Sequence, residues 1–336
     1  MIYKNMELFN VAELSEGENG EMKIHRFPSS AEKAFGAQGL KMSRNATGVE
    51  IRFKMISDTV KLHLSMEGES GAGALFYRGS VLSKWQDLSR HIGGGNGSVL
   101  TFEKIYSPEI FEAITKSGDY PYSPDVVRLV LGGGPLQIID VEGEIEPPSK
   151  EDLPQKTYLA YGSSITFGSS ALSTPYTFTN LVGDHFKMAV RNLGMAGSAL
   201  VEHEVADFIA DIGAKGEWDV ATLCMGINCL GRAEEDIYES VGYMIDKVAG
   251  ANPDKHIFCI SPIFCQDDIK GKESPNKWRR IIGELVEKYN SPYVHYVNGL
   301  ELMDGAWGLS GDFVHPAPIG VRGIAKNLIE IMEKYV

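Results

Sequence analysis

The chain has 336 residues, of which 43% are hydrophobic and 23% are charged, and this composition excludes a disordered or fibrous protein. Its length favours two domains over one. The formal net charge of −13 argues against nucleic acid as a partner, because an acidic surface repels phosphate backbones. No apolar run reaches the length of about 18 residues that a membrane span needs, and the first residues lack the apolar stretch of an export signal, so we expect no membrane partner.

Residues 1–146 are predicted to form an all-β domain. Apolar and polar residues alternate at 49–55 and again at 60–64, which is the period of a strand with one buried face. Many short strands separated by glycine-rich turns are typical of a β-sandwich or jelly roll. Further apolar runs of strand length lie at 74–77, 126–131 and 136–141.

A polar segment separates this region from the rest of the chain. Residues 147–156 contain three prolines among charged and polar side chains, a composition typical of a linker. We therefore predict that a second domain begins at residue 157 and continues to residue 336.

Residues 157–336 follow a different rhythm, in which apolar runs of strand length alternate with amphipathic helical patterns. This alternation predicts a parallel sheet with helices on both faces, which is a three-layer α/β domain. Sheets of this kind bind ligands at the carboxyl ends of their strands. The five predicted strands lie at 158–161, 190–193, 220–225, 257–260 and 294–297.

Three of these predicted strands are followed by residues that suit acyl chemistry. Ser164 lies in a strand-to-helix turn, where its hydroxyl and nearby backbone N–H groups are accessible at the sheet edge. Gly197 allows close approach of a ligand and offers an N–H, and Asn228 can direct its amide at a developing oxyanion. Each also has an ordinary interpretation, namely a helix N-cap, a turn glycine and an Asx-turn, so none decides the function alone.

A fourth motif precedes the last predicted helix. His315 can accept and return a proton near neutral pH, and Asp312, three residues earlier, can hold the imidazole tautomer and stabilise its cation. A histidine with an aspartate at this spacing in a tight loop is a much stronger signal than a single histidine.

These four motifs, in this order, resemble those of the SGNH (GDSL-type) hydrolase family. The resemblance covers about 156–336 and implies a flavodoxin-like parallel sheet. It also implies that Ser164 is the nucleophile, His315 the general base and Asp312 its orienting partner. The oxyanion donors would then be the N–H groups of Ser164 and Gly197 and the side chain of Asn228. The β-rich half resembles the jelly-roll domain that precedes the hydrolase in some carbohydrate deacetylases.

Two positions depart from the family pattern. The first motif usually reads Gly-Asp-Ser, and here Ser163 replaces the aspartate. The third usually reads Gly-x-Asn-Asp, and here Cys229 replaces the second aspartate. Neither position has one of the four chemical roles, so we expect these changes to affect loop geometry and subfamily.

The four cysteines form neither a CxxC pair nor a metal-binding spacing, and four thiols in a chain this long are not a disulfide framework. We interpret them as small buried side chains in a reducing environment, which predicts a cytoplasmic protein. Cys229 as an alternative nucleophile is disfavoured because Ser164 is available and no second histidine motif exists. The cysteines are Cys224, Cys229, Cys259 and Cys265.

The expected function is therefore that of a serine esterase acting on small acyl esters, with an acetylated carbohydrate as the first choice of substrate. An acyltransferase that uses the same acyl-enzyme is one alternative. A carbohydrate-binding protein with an inactive hydrolase half is another. No cofactor or metal is implied, and a homo-oligomer remains open. Aromatic residues that could form a sugar platform or an acyl pocket are Phe167, Tyr176, Phe264 and Trp307.

Overall fold

The structure is a computed structural model that describes residues 1–84, 89–95, 97–104, 107–118 and 120–336. The chain divides into two compact units. The first comprises residues 1–28, 43–155 and 187–189, and the second comprises residues 29–42, 156–186 and 190–336. The domain boundaries at 146 and 157 stay predictions, because compactness alone does not show which segments fold independently.

The first unit contains two antiparallel sheets. In one sheet the strand order is β1-β2-β5-β11-β7-β8, with β13 also paired to β5 and β9 to β7, and in the other it is β10-β6-β12-β4-β3. These strands are β1 (Ile2–Tyr3), β2 (Met6–Phe9), β3 (Glu13–Glu16), β4 (Met22–His25), β5 (Glu50–Met55), β6 (Thr59–Met66), β7 (Ala72–Arg78), β8 (Val81–Leu82), β9 (Ser89–Ile92), β10 (Ser98–Glu103), β11 (Val126–Leu131), β12 (Leu136–Glu142) and β13 (Ile145–Glu146).

Both sheets contribute apolar side chains to one core, which includes Ile51 and Phe53 from β5 and Leu62 and Leu64 from β6. This arrangement confirms the predicted all-β character of the region, whereas the jelly-roll connectivity stays a prediction. One helix, α3 (Pro108–Ser117), lies between β10 and β11.

One strand differs from its sequence pattern. The polar residues of β5 were expected to face solvent, but Glu50 and Arg52 are both buried. They remain inside because their charges are paired: Arg52 Nε donates to Glu50 Oε2 at 2.8 Å, and Arg128 Nη2 donates to Glu50 Oε1 at 2.7 Å. Burial raises the pKa of Glu50, but the two guanidinium groups outweigh it and lower that pKa to about 2.

The second unit is built on a parallel sheet with the order β15-β14-β16-β17-β18, which confirms the predicted α/β class. Buried faces of its helices cover the sheet. Its strands are β14 (Thr157–Gly162), β15 (Ala189–Gly194), β16 (Val220–Cys224), β17 (His256–Ile260) and β18 (Val294–Val297). Its helices are α1 (Ser29–Glu32), α2 (Ala37–Ser43), α4 (Ser164–Phe167), α5 (Phe178–His185), α6 (His203–Ala214), α7 (Glu234–Ala251), α8 (Gln266–Ile269), α9 (Ser274–Tyr289), α10 (Gly299–Leu302) and α11 (Pro318–Met332). Within the described ranges, no helix has the length and apolarity to cross a membrane.

The strand order places a switch point between β14 and β16. From β14 the chain runs first to β15 on one side and then to β16 on the other, so the loops that follow β14 and β16 diverge at the carboxyl edge. Ligands bind in the crevice that such a divergence opens. Ser164 follows β14 and Asn228 follows β16, so both lie at this crevice.

Segment 29–42 is an exception to the division of the sequence into two halves. It lies between β4 and β5 in the chain, yet it belongs to the second unit, where α1 contacts α6. Residues Ala31, Phe35 and Met42 of this segment are buried.

Candidate active site

Ser164 is the first residue of the short helix α4. Ser163 caps this helix, since its hydroxyl oxygen accepts the N–H of Ile165 at 3.3 Å. Gly168 ends the helix in the left-handed conformation, with φ 99°. The turn therefore holds Ser164 immediately after β14, at the carboxyl edge of the sheet.

His315 contacts Ser164 although the two residues are 151 positions apart in the chain. Their atoms Nε2 and Oγ lie 2.7 Å from each other. On the other side of the ring, His315 Nδ1 lies 2.6 Å from Asp312 Oδ2. The structure thus joins Ser164, His315 and Asp312 in one continuous chain of hydrogen bonds.

The carboxylate of Asp312 is held by its own loop. Its Oδ1 accepts the Ser310 hydroxyl and the N–H groups of Val314 and His315, each at 2.9 Å. Burial raises the pKa of Asp312, but hydrogen bonds from the His315 backbone and ring, Val314 and Ser310 outweigh it and hold that pKa well below its ordinary value. Because Asp312 stays ionised, Nδ1 of His315 carries the proton and Nε2 is free to accept from Ser164.

The carboxyl end of β15 packs directly against helix α4. Asn192 Nδ2 donates to the carbonyl of Thr166 at 2.8 Å, and Asn192 Oδ1 accepts the N–H of Gly194 at 2.8 Å. Gly194 needs to lack a side chain, because a Cβ there would lie 2.3 Å from the backbone nitrogen of Phe167. This close approach brings the loop that contains Gly197 beside α4.

Gly197 and Asn228 are linked through their neighbours. Gly197 has φ +69°, in a turn closed by the N–H of Ser198 and the carbonyl of Met195 at 3.0 Å. Asn228 Oδ1 accepts the N–H of Ala199 at 3.1 Å, two residues beyond Gly197. Since the amide oxygen faces Ala199, the Nδ2 hydrogens of Asn228 are directed to the opposite side of the amide and remain donors.

The second half of the chain matches a known protein family. Residues 155–333, more than half of the chain, match the model of the GDSL-like lipase/acylhydrolase family. The chain belongs to this family. No curated protein sequence matches the chain.

Solved structures with the fold of this GDSL-like protein cover nearly its whole length. A salicylyl-acyltransferase from a tetracycline biosynthetic pathway is 16% identical, with a TM-score of 0.78 over 98% of this chain and 94% of the other. A family two carbohydrate esterase from Cellvibrio japonicus is 11% identical, with a TM-score of 0.66 over 99% and 95%. A putative GDSL-like lipase from Bacteroides ovatus is 17% identical, with a TM-score of 0.60 over 98% and 97%. At these identities the likeness establishes the fold.

The two departures from the family pattern have different structural outcomes. Ser163 serves as the cap of α4, so its short side chain still supports the turn. Cys229 is 9% exposed, and burial raises the pKa of its thiol to about 11. A thiol with that pKa is protonated at neutral pH, which leaves Cys229 without the thiolate that a nucleophile needs.

The predicted aromatic candidates differ in exposure. Tyr176 and Trp307 are exposed, and Trp307 donates its indole N–H to Asp304 at 3.0 Å, whereas Phe167 and Phe264 are half-buried. Phe313, which the sequence analysis does not include among these candidates, lies between Asp312 and His315 and is 51% exposed, with a positive φ of 57°. The signal available in the sequence was a large aromatic residue inside the tight loop of the Asp-x-x-His motif.

A small apolar cavity of about 40 Å³ lies beside the nucleophile turn. Its walls include Ser163 and Ile165, which flank Ser164, and Ile227, which precedes Asn228. The remaining walls come from the ends of β16 and β17 and from helices α5, α10 and α11, and include Phe178, Met225, Ile263 and Ile324. In the described part of the chain, no group of three or more His, Cys, Asp or Glu side chains is arranged to hold a metal ion.

Proposed function

We propose that this GDSL-like protein is a serine esterase that hydrolyses small acyl esters, with acetyl esters of a carbohydrate as the first choice. The observation that carries the proposal is the chain of hydrogen bonds from Ser164 through His315 to Asp312, with distances of 2.7 and 2.6 Å. A hydroxyl in contact with an imidazole that a carboxylate orients is the arrangement that activates serine for attack on a carbonyl.

In the proposed reaction, His315 Nε2 takes the Ser164 proton as Oγ attacks the ester carbonyl. The tetrahedral oxyanion is stabilised by the N–H groups of Ser164 and Gly197 and by Nδ2 of Asn228. His315 then protonates the leaving alcohol, and Asp312 stabilises the imidazolium that forms meanwhile. In the second half of the reaction, His315 removes a proton from water as the water oxygen attacks the acyl-enzyme carbonyl. His315 then returns the proton to Ser164 Oγ, the acyl–Oγ bond breaks and the acid is released.

The small cavity supports a short acyl group. A volume of 40 Å³ has room for about three water-sized groups, the size of an acetyl group, and the walls include the residues on either side of Ser164. Its apolar walls suit the methyl end of that group. The preference for a carbohydrate alcohol is supported by the fold that the chain has in common with the carbohydrate esterases.

An acyltransferase is the second candidate, because the salicylyl-acyltransferase has a TM-score of 0.78 with this chain. Transfer to an alcohol requires that the acceptor outcompetes water at the acyl-enzyme. The side chains of His315 and Asp312 are 26% and 51% exposed, so water has access to the base. Hydrolysis requires this access of water to the base. The other alternative, a carbohydrate-binding protein with an inactive hydrolase half, is disfavoured because Ser164, His315 and Asp312 are all present and in contact.

The test is a comparison of Ser164→Ala with the unchanged protein on chromogenic esters of increasing acyl length. We expect Ser164→Ala to reduce turnover to near background, and we expect acetyl and propionyl esters to react faster than octanoyl esters. Ser291→Ala is the matched control, because Ser291 lies in the turn before β18, at the opposite edge of the sheet. Full activity of Ser164→Ala would disprove the nucleophile assignment, and a preference for octanoyl esters would exclude the short-acyl proposal.

Two further measurements separate the alternatives. A fluorophosphonate probe should label the unchanged protein and fail to label Ser164→Ala, whereas an inactive hydrolase half would not be labelled at all. Product analysis with an added sugar alcohol then distinguishes the esterase, which releases free acid, from the acyltransferase, which forms the new ester.

A further inference from the structure

Gln38 reaches the loop of Gly197 from a distant part of the sequence. It lies in α2, within the segment 29–42 that precedes the predicted linker yet belongs to the second unit. Its Nε2 donates to the carbonyl oxygen of Ala196 at 2.9 Å. The same side chain lies over Gly197, since a Cβ on that glycine would be 3.8 Å from Nε2.

The hydrogen bond is made to the peptide that also contains the Gly197 N–H. The carbonyl of Ala196 and the N–H of Gly197 belong to one planar trans amide, so its oxygen and hydrogen point in opposite directions. A donor on the oxygen therefore fixes the direction of the N–H. It also polarises the amide, which makes the N–H a stronger donor.

This amide is the central peptide of a β-turn, and that position makes its orientation variable. The turn spans residues 195–198, with the N–H of Ser198 bonded to the carbonyl of Met195. Gly197 has a positive φ and Ala196 does not, which identifies a type II turn. In the type I alternative the central peptide is flipped, and glycine adopts the required φ in either form at little cost. A flip would reverse the Gly197 N–H while the closing hydrogen bond survives.

We propose that Gln38 is a positioning residue that holds this turn in its type II form and thereby aims the Gly197 N–H at the oxyanion. The inference rests on the proposed function, in which Gly197 is an oxyanion donor. In the flipped form the carbonyl oxygen of Ala196 would replace that donor, and an oxygen facing an oxyanion is repulsive. Gln38 thus acts through Gly197 on the transition state and leaves ground-state binding of the ester unaffected.

The most direct test is Gln38→Glu, because glutamate has the same shape as glutamine but places a carboxylate oxygen at the position of the Nε2 donor. The introduced carboxylate oxygen and the carbonyl oxygen of Ala196 repel each other, which favours the flipped turn. We expect kcat to fall about 10-fold with KM within about 2-fold, because the oxyanion forms only in the transition state. Removing an oxyanion donor completely is expected to lower kcat by about 10²–10³-fold, so this fall is smaller. Gln38→Lys keeps a donor that reaches the same carbonyl, so it should retain most of the activity.

Gln155→Glu is the matched control. Gln155 is also an exposed glutamine whose Nε2 donates to backbone carbonyls, those of Lys150 and Leu153, but it lies just before β14 and away from the Gly197 loop. We expect its kcat, its KM and its melting temperature to equal those of the unchanged protein. The melting temperature of Gln38→Glu should also be close to that value, because the side chain of Gln38 is exposed.

The outcomes separate this inference from the proposed function. If Ser164→Ala is inactive but Gln38→Glu keeps the full kcat, the positioning role is wrong and the esterase stands. A loss of activity in Gln38→Glu that accompanies a lower melting temperature, or that Gln38→Lys fails to rescue, also overturns it in favour of a structural role. If the unchanged protein is not labelled by fluorophosphonate, the proposed function is wrong, and this inference, which rests on it, is wrong as well.

Discussion

Asn228 Oδ1 accepts the backbone N–H of Ala199 at 3.1 Å, which orients the amide so that its Nδ2 remains available as a donor. We therefore predict that Asn228→Asp retains this structural contact, because a carboxylate oxygen also accepts, while it loses the donor. Its kcat should fall by about 10²–10³-fold, the usual effect of removing one oxyanion donor. Steady-state kinetics together with thermal unfolding test this prediction, and a kcat close to that of the unchanged protein would contradict it.

Replacement of Asp312 by asparagine should change the tautomer of the His315 imidazole and have a smaller effect on the conformation of the loop. An amide nitrogen facing His315 Nδ1 favours the tautomer with the proton on Nε2, which can no longer accept from Ser164. We expect kcat to fall by as much as about 10⁴-fold, as in other triads of this kind. The measurement is kcat on an acetyl ester, with Asp304→Asn as the control, since Asp304 contacts Trp307 and has no contact with His315. Comparable losses in both variants would argue against a specific role for Asp312.

The low pKa of Asp312 also predicts how the loop at 310–315 responds to acid. A carboxylate whose pKa is lower in the folded than in the unfolded state stabilises the fold above its unfolded pKa of about 3.9, and this contribution is lost as the pH falls below that value. The loop should therefore keep its geometry at pH 5. Any loss of kcat between pH 8 and pH 5 should then follow a group other than Asp312, because Asp312 stays ionised throughout that range.

A histidine pair at the junction of β17 and β18 predicts a loss of stability in mild acid. His256 Nδ1 lies 2.9 Å from His295 Nε2, and burial together with His256 lowers the pKa of His295 to about 4. The pKa of His256 is also lowered, by burial and by Lys156. Both rings stay neutral in the folded protein, while in the unfolded chain they bind protons below about pH 6.5.

Stability should therefore be complete above about pH 6.5 and should fall as the pH drops toward 4, since the unfolded state takes up the protons in that window. We expect the melting temperature to decrease by a few degrees between pH 7 and pH 5. In His295→Phe, which keeps an aromatic ring against Tyr335, this slope should become shallower. An unchanged slope would show that other groups cause the acid sensitivity.

Phe313 carries backbone strain two residues before His315. Its φ of 57° lies in the left-handed region, which is unfavourable by about 1–2 kcal/mol for a residue with a side chain, and its ring is largely exposed. Phe313→Gly and Phe313→Ala both remove the ring, but only glycine relieves the strain. We predict that the glycine variant has the higher melting temperature of the two. Equal melting temperatures would mean that the strain is relieved elsewhere in the loop.

The pattern of apolar residues was sufficient to predict the fold class, because period and composition are local properties. The alternation at 60–64 matches β6, where Val60, Leu62 and Leu64 are buried. The prediction was incomplete at β5, where an alternating pattern gave a strand whose charged residues are also buried. Periodicity cannot reveal this, since Glu50 is stable inside only because Arg52 and Arg128, the latter 78 residues away, neutralise it.

Some residues of the candidate site were predicted from the sequence and one was not. Ser164, Gly197, Asn228 and the Asp312–His315 loop are recognisable in the sequence because each follows a strand or precedes a helix in a short motif. Gln38 has no such signal. It is a single glutamine in a short helix before the predicted linker, and its relation to Ala196 depends on how segment 29–42 packs.

The sequence by itself determined which elements form and which residue types stand at the ends of the parallel strands, since hydrophobic period, turn composition and motif spacing depend only on neighbours along the chain. Only the tertiary structure decided that Nε2 of His315 lies 2.7 Å from Ser164 Oγ, that Glu50 and Arg52 are buried together, and that Gln38 holds the carbonyl beside Gly197. These relationships join residues far apart in the chain, and their distances follow from the packing of whole elements, which no local pattern encodes.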